Sequence, residues 1–189
     1  GAGLLAGSFA RLQRVTPGFD PNGVLTGNIV LPVGGSFDPV RDGPGWQRFF
    51  DQFTARLGAL PGVSHAGAVS SLPLSGAVES GGFSVEGRPR PAPGEGPVAE
   101  YSVVSGDYFA TMGIRLLSGR TFDSRDKSDA PGVVVVNREL ARRHFPGMSP
   151  IGQRLRTGFD FSNGASPREI IGVVDDVKQI SLDAEMNPA

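Results

Sequence analysis

The pattern of apolar and polar positions changes period several times along the chain, and each change marks an element. Val24 to Leu31, in "VLTGNIVLP", alternates apolar with small or polar residues and stops at Pro32, as a half-buried strand does. Beyond a loop, Trp46, Phe49, Phe50, Phe53, Leu57 and Leu60 recur at spacings of three and four, with Gln47, Arg48, Asp51, Gln52 and Arg56 between them. This spacing predicts an amphipathic helix with its aromatic face on a sheet. The helix stops at "PGV", and "VSHAGAVSSLP" returns to a two-residue period. Strand, helix and strand together predict a unit joined by a right-handed parallel crossover.

Further on, "GGFSVEGR" and "AEYSVVS" read as strands linked by the proline-rich connector "EGRPRPAPGEGP". Ser105 is placed to cap a short helix carrying Tyr108, Phe109 and Met112, and Gly113 to end it before the extended "IRLLSGRTF". In that stretch Phe109, Met112, Leu116 and Phe122 are expected to be buried, while Arg115 and Arg120 reach solvent or a partner. The unbroken run Val133 to Val136 predicts a strand, Asn137 a helix cap, and Leu140, Ala141 and Phe145 the inner face of the helix that follows. Glu139 can pair with Arg142 or Arg143 one turn on. Short strands are predicted at Gln153 to Arg156 and Glu169 to Val174, with Asp175 and Asp176 marking the exit of the last. The pattern is α+β with more strand than helix.

Composition changes this picture little. The 189 residues are 39% hydrophobic, enough for a substantial core. The 18 basic and 19 acidic residues are dispersed and leave a net charge of −1, so no basic footprint points to nucleic acid. Without cysteine there is neither a disulfide nor a thiolate ligand or nucleophile. The 28 glycines and 16 prolines punctuate the apolar runs, and no run approaches the roughly 20 residues that cross a bilayer. The opening "GAGLLAGSFARLQRV" reads two ways, as the last turns of a membrane helix with basic residues at the interface, or as a short surface helix behind a cloning remnant. On this stretch alone the second is favoured.

Candidate chemistry is sparse. His65 and His144 are far apart and have no companion at metal-ligand spacing. Ser70 and Ser71 lack the G-x-S-x-G elbow, and "ESGGFS" lacks the lysine of a phosphate-binding loop. Asp160, Ser162 and Asn163 echo a calcium loop faintly, but Ile171 stands where its bidentate acid belongs. Asp175 and Asp176, adjacent on a presumed strand end, are expected to point to opposite sides, which argues against their working as a catalytic pair. No catalytic, cofactor or metal residue is assigned, and no cofactor is expected.

Five segments in order, "SFARLQRVTPGFDPNGVLT", "LPGVSHAGAVSSLPLSG", "VSGDYFATMGIRLLSGRTF", "VVVVNRELARRHFPGMSPIGQRLR" and "REIIGVVDDVKQISLD", cover most of the chain. Together they resemble the MacB-like periplasmic core domain of FtsX-type ABC transporter permeases, in particular the acidobacterial type. Ala6 and Gly7 depart from the bulkier or basic residues usual there, and Gly106-Asp107 from the common Pro-Gly. The resemblance implies an α+β fold, a mixed sheet lobe with a strand-helix-strand, porter-like unit and a smaller inserted α+β lobe. It divides the chain into a stalk at residues 1–14 behind a truncated first transmembrane helix, an incomplete porter-like lobe at 15–81 plus 168–182, and the inserted lobe at 82–167.

The function it implies is that of a non-catalytic extracytoplasmic domain at the periplasmic face of the bacterial inner membrane. Such a domain transmits ATP-driven motion and contacts substrate or partner proteins. The implied partners are the rest of the permease, its cytoplasmic ATPase, a second permease copy, and a periplasmic protein or substrate, but no nucleic acid. Arg115 and Arg120 are the residues put forward for partner contact. The runner-up is a stand-alone extracytoplasmic module that binds a ligand in a cleft between two lobes, with Arg115, Arg120, Tyr101 and Tyr108. A hydrolase using Ser71 or the acidic turns comes third.

Overall fold

The computed structural model describes residues 16–31, 43–89, 91–92, 95–127, 129–157 and 166–180. In chain order its elements are α1 (Gly43–Gly58), β1 (Gly67–Val69), β2 (Glu79–Val85), β3 (Val98–Tyr101) and β4 (Val104–Gly106). They continue with α2 (Tyr108–Thr111), β5 (Leu116–Gly119), β6 (Val133–Asn137), α3 (Arg138–His144), β7 (Arg154–Thr157) and β8 (Arg168–Val174). The fold is α+β, with more strands than helices. Among the described residues no helix is long and apolar enough to cross a membrane.

The main sheet has six strands in the order β3-β2-β7-β8-β5, with β6 parallel to β8 on its remaining side. Strand β8, which the sequence division groups with residues 15–81, pairs with β5, β6 and β7 from the stretch 82–167. Because successive strand residues point to opposite faces, the unbroken valine run of β6 supplies both. Val134 and Val136 pack on one face with Phe83, Leu140, Phe145, Leu155, Ile170 and Val173. Val135 packs on the other with Tyr108, Met112, Ile114 and Val174. Ile170 and Val173 share a face despite their odd spacing because the register of β6 on β8 slips there: Val134 lies opposite Ile170 and Val135 opposite Gly172, leaving Ile171 as a bulge.

Helix α3 closes the first face. The Asn137 side chain accepts a hydrogen bond from the Leu140 amide at 2.9 Å, as its sequence position requires of a cap. The Asp176 carboxylate accepts a second from the Glu139 amide at 2.9 Å. Glu139 pairs with both Arg142 and Arg143, which pulls its carboxyl down to about 2, chiefly through the bond from Arg142.

Four expectations are corrected. Residues 24–31 form neither strand nor helix, with Leu25 97% and Val30 91% exposed. The alternation is that of a strand, but a strand also needs a ladder, and among the described residues none of β1 to β8 pairs with this stretch. The parallel crossover is accordingly absent: β1 pairs antiparallel with β4, Gly67 opposite Gly106, and α1 lies on this two-stranded sheet. On α1 the aromatic residues are half-buried, and the buried residue is Thr54, whose hydroxyl donates back to the Phe50 carbonyl at 2.9 Å. Finally, Ser105 belongs to β4 and bonds Asp51, while Asp107 occupies the cap position of α2 without a side-chain cap bond.

Candidate functional site at the junction of three segments

The second face of the sheet is finished by segments that have no regular structure of their own. Phe19 and Val24 from the incoming segment and Val177 from the outgoing one pack against Tyr108, Met112, Ile114 and Val174. Burial pushes the Tyr108 hydroxyl up to about 12. Main-chain bonds hold the packing in place. The Asp20 amide donates to the Met112 carbonyl at 2.8 Å, the Lys178 amide to the Pro17 carbonyl at 2.8 Å, and the Asp175 amide to the Arg115 carbonyl at 2.9 Å.

Two glycines make this approach possible. Gly113 ends α2 with φ +62°, as its position after a short helix predicts, and a Cβ there would meet the Cβ of Asp20 at 3.0 Å. Gly18 has φ +89°, and a Cβ there would lie 1.9 Å from the Asp176 carbonyl oxygen. The role of Gly18 was missed from the sequence, although a glycine between Pro17 and Phe19 is the one signal that could have raised it.

Arg115 stands at the rim. Its guanidinium bonds the Asp175 carboxylate at 2.8 Å, and Arg138 from α3 takes the other oxygen, also at 2.8 Å. Burial alone would raise the Asp175 carboxyl, but the bonds from Arg115 and the Asp176 amide, with the charge of Arg138, outweigh it and hold the carboxyl below its ordinary value. Among the described residues Asp176 has no such ion pair, and burial pushes its carboxyl up. Both acids turn toward the start of α3, where each binds a different group. With 68% of its side chain exposed, Arg115 keeps donors free for water.

Arg120 is engaged internally. It forks onto Asp126 with bonds of 2.7 and 2.8 Å and touches Asp123 at 3.2 Å, and Asp123 in turn accepts from Arg125. These bonds close the loop 120–126 into a compact surface turn. Of the remaining expectations for this stretch, Met112 is buried, Phe109 and Phe122 are half-buried and stacked with ring centroids 6.1 Å apart, and Leu116 is exposed on β5.

A shallow groove of about 260 Å³ opens between Thr16, Phe19, Asp20, Arg115 and Asp175. A second, of about 240 Å³, is lined by Phe109, Ile114, Leu116 and Phe122 with Asp107 and Thr121. Tyr101, Tyr108 and Arg120 line neither. Ser70 is structural, accepting from the Val103 amide at 3.1 Å, and His65 lies 3.4 Å from Asp107 in an exposed pair. The His144 ring packs edge-on against Phe83. Among the described residues no three His, Cys, Asp or Glu side chains are placed to hold a metal ion. Asp160, Ser162 and Asn163 lie outside the described residues, as does the stretch 1–14.

Comparison with known proteins gives the site its setting. The family described as "MacB-like periplasmic core domain" matches residues 5–187. Over 85 residues, 44% of this chain, the sequence is 35% identical to the probable syringafactin export ATP-binding/permease protein of Pseudomonas syringae pv. tomato, of which those residues are 12%. Two solved structures are similar at 20% identity and a TM-score of 0.45. The periplasmic region of MacB from Actinobacillus actinomycetemcomitans matches over 68% of this chain and 51% of its own. The extracellular domain of the noncanonic ABC-type transporter YknZ from Gram-positive bacteria matches over 74% and 59%.

Proposed function

The chain belongs to the MacB-like periplasmic core domain family, and from that premise we propose that it is a non-catalytic, extracytoplasmic part of an ABC-type permease that relays motion driven by ATP hydrolysis elsewhere. The observation that carries this reading is the docking of the incoming and outgoing segments on one cluster: a displacement arriving along either reaches the main sheet through Val174 and Val135. The partners are then the remainder of the permease, an ATPase on the cytoplasmic side, a second permease copy, and a periplasmic protein or substrate. The domain sits at the periplasmic face of the inner membrane. Arg115, exposed at the rim of the junction, is the first residue put forward to meet a partner, and Arg120, one-third exposed in the turn 120–126, is the second.

A stand-alone ligand-binding module fits less well, because the two grooves at the junction and beside Phe109, among the described residues, fall below the volume of about 300 to 1,000 Å³ usual for small-molecule sites. The test is the ratio of transport to ATP hydrolysis in the full permease. With Arg115→Gln, hydrolysis should continue while export falls several-fold. Export unchanged at unchanged hydrolysis removes Arg115 from the contact, and micromolar Mg-ATP binding by this domain in calorimetry overturns the relay reading itself.

A further inference from the structure

The three main-chain bonds of the junction close on themselves. From the Met112 carbonyl the path crosses to the Asp20 amide, follows the chain back to Pro17, crosses to the Lys178 amide, follows the chain back to Asp175, crosses to the Arg115 carbonyl, and returns along the chain to Met112. Each of the segments 17–20, 112–115 and 175–178 is thus bonded to the other two. Neither the incoming nor the outgoing segment can leave alone without breaking the Pro17–Lys178 bond, and each is also bonded to the turn around Gly113. The ring is filled at both glycines: Gly18 lies against Asp176, and Gly113 against Asp20. The Arg115–Asp175 ion pair spans the same two segments as the Asp175–Arg115 main-chain bond.

We propose that this ring is a latch that opens and closes as one unit, so that the segments leading into and out of the domain are released together or not at all. Three bonds that each need the other two in place give a local opening of their own, distinct from global unfolding. The groove beside Phe19 and Arg115 provides room into which the incoming segment can shift without disturbing the sheet. The latch is a property of this chain; its use in transport rests on the permease reading above, and the experiment that follows reads the latch alone.

Amide hydrogen exchange on the full chain, resolved by residue, tests it. The Asp20, Asp175 and Lys178 amides should exchange through one common opening that leaves the Ile170 amide, bonded to Gln153 within the sheet, protected. Val177→Ala trims a side chain that packs on the junction but makes none of the three bonds, and it should speed all three amides by the same factor, about tenfold. Gly18→Val, which places atoms against the Asp176 carbonyl, should abolish their protection together. Acceleration of Lys178 alone, or of Asp20 alone, in Val177→Ala overturns the latch. Should Gly18→Val fail to fold, the equality of the three factors in Val177→Ala still decides.

Discussion

The two faces of the β6–β8 pair are built in different ways from adjacent residues of the same strands. On one, Val136, Leu140 and Ile170 are sealed by α3 and the neighbouring strands, all of them elements with their own hydrogen-bond ladders. On the other, Tyr108, Met112, Ile114 and Val174 are covered by a helix of four residues and by two segments without regular structure, held by bonds to each other and to the turn around Gly113. The first face is a core that any domain of this architecture needs. The second depends on where the segments 17–24 and 175–177 lie, since they cover it without a ladder of their own.

The strongest test of this contrast is Leu140→Ala. Leu140 is fully enclosed in the sheet face, and its truncation should cost about 3 kcal/mol in urea melts. A loss near or below about 1 kcal/mol would mean that this face collapses onto the cavity and is no more rigid than the junction. Next in size is an alkaline effect confined to the junction. Tyr108 has its hydroxyl raised from an ordinary 10.0 to about 12 by burial. Its contribution is therefore complete below pH 10 and lost as the pH rises through about 12, a loss on the order of 2 kcal/mol. Tyr108→Phe should lack this part of the alkaline decline. Parallel curves for the two proteins would show that the junction is already open to solvent.

The smallest effect is expected of Arg120→Ala. Its guanidinium is one-third exposed, so breaking the fork onto Asp126 should cost about 1 kcal/mol or less. The change should free the Asp123 amide, bonded to Asp126, to exchange, while leaving the amides of both faces protected. A loss as large as that of Leu140→Ala would place the loop 120–126 within the core and remove the distinction between surface turn and junction.

Much of the sheet face was legible in the sequence. Four consecutive valines state that a strand is covered on both sides, Asn137 states where the helix begins, and Arg142 and Arg143 state which helix side meets water, while Glu139, which pairs with them, is largely covered. Each signal acts within one turn or one strand, where propensity and capping decide the outcome. The aromatic spacing of α1 was read correctly as a helix, but the partner of its apolar side was not: the helix lies on the β1–β4 pair, with Thr54 as its buried residue. Leu116 was expected inside because it is apolar; it is exposed because β5 lies at the end of the strand order and bulges at Leu117.

The chain's own residues thus determined the identity of the described helices, the burial of the valine strand on both of its faces and the turn at Gly113. Tertiary structure decided the rest. Residues 24–31 have the alternation of a strand, yet a strand exists only where another chain segment offers its amides and carbonyls, and among the described residues none does so here. Gly18, Asp20, Asp175 and Lys178 carry no local signature of a site. They meet because segments distant in sequence arrive at the same turn, and which carbonyl an amide finds across such a distance depends on packing that no local pattern encodes.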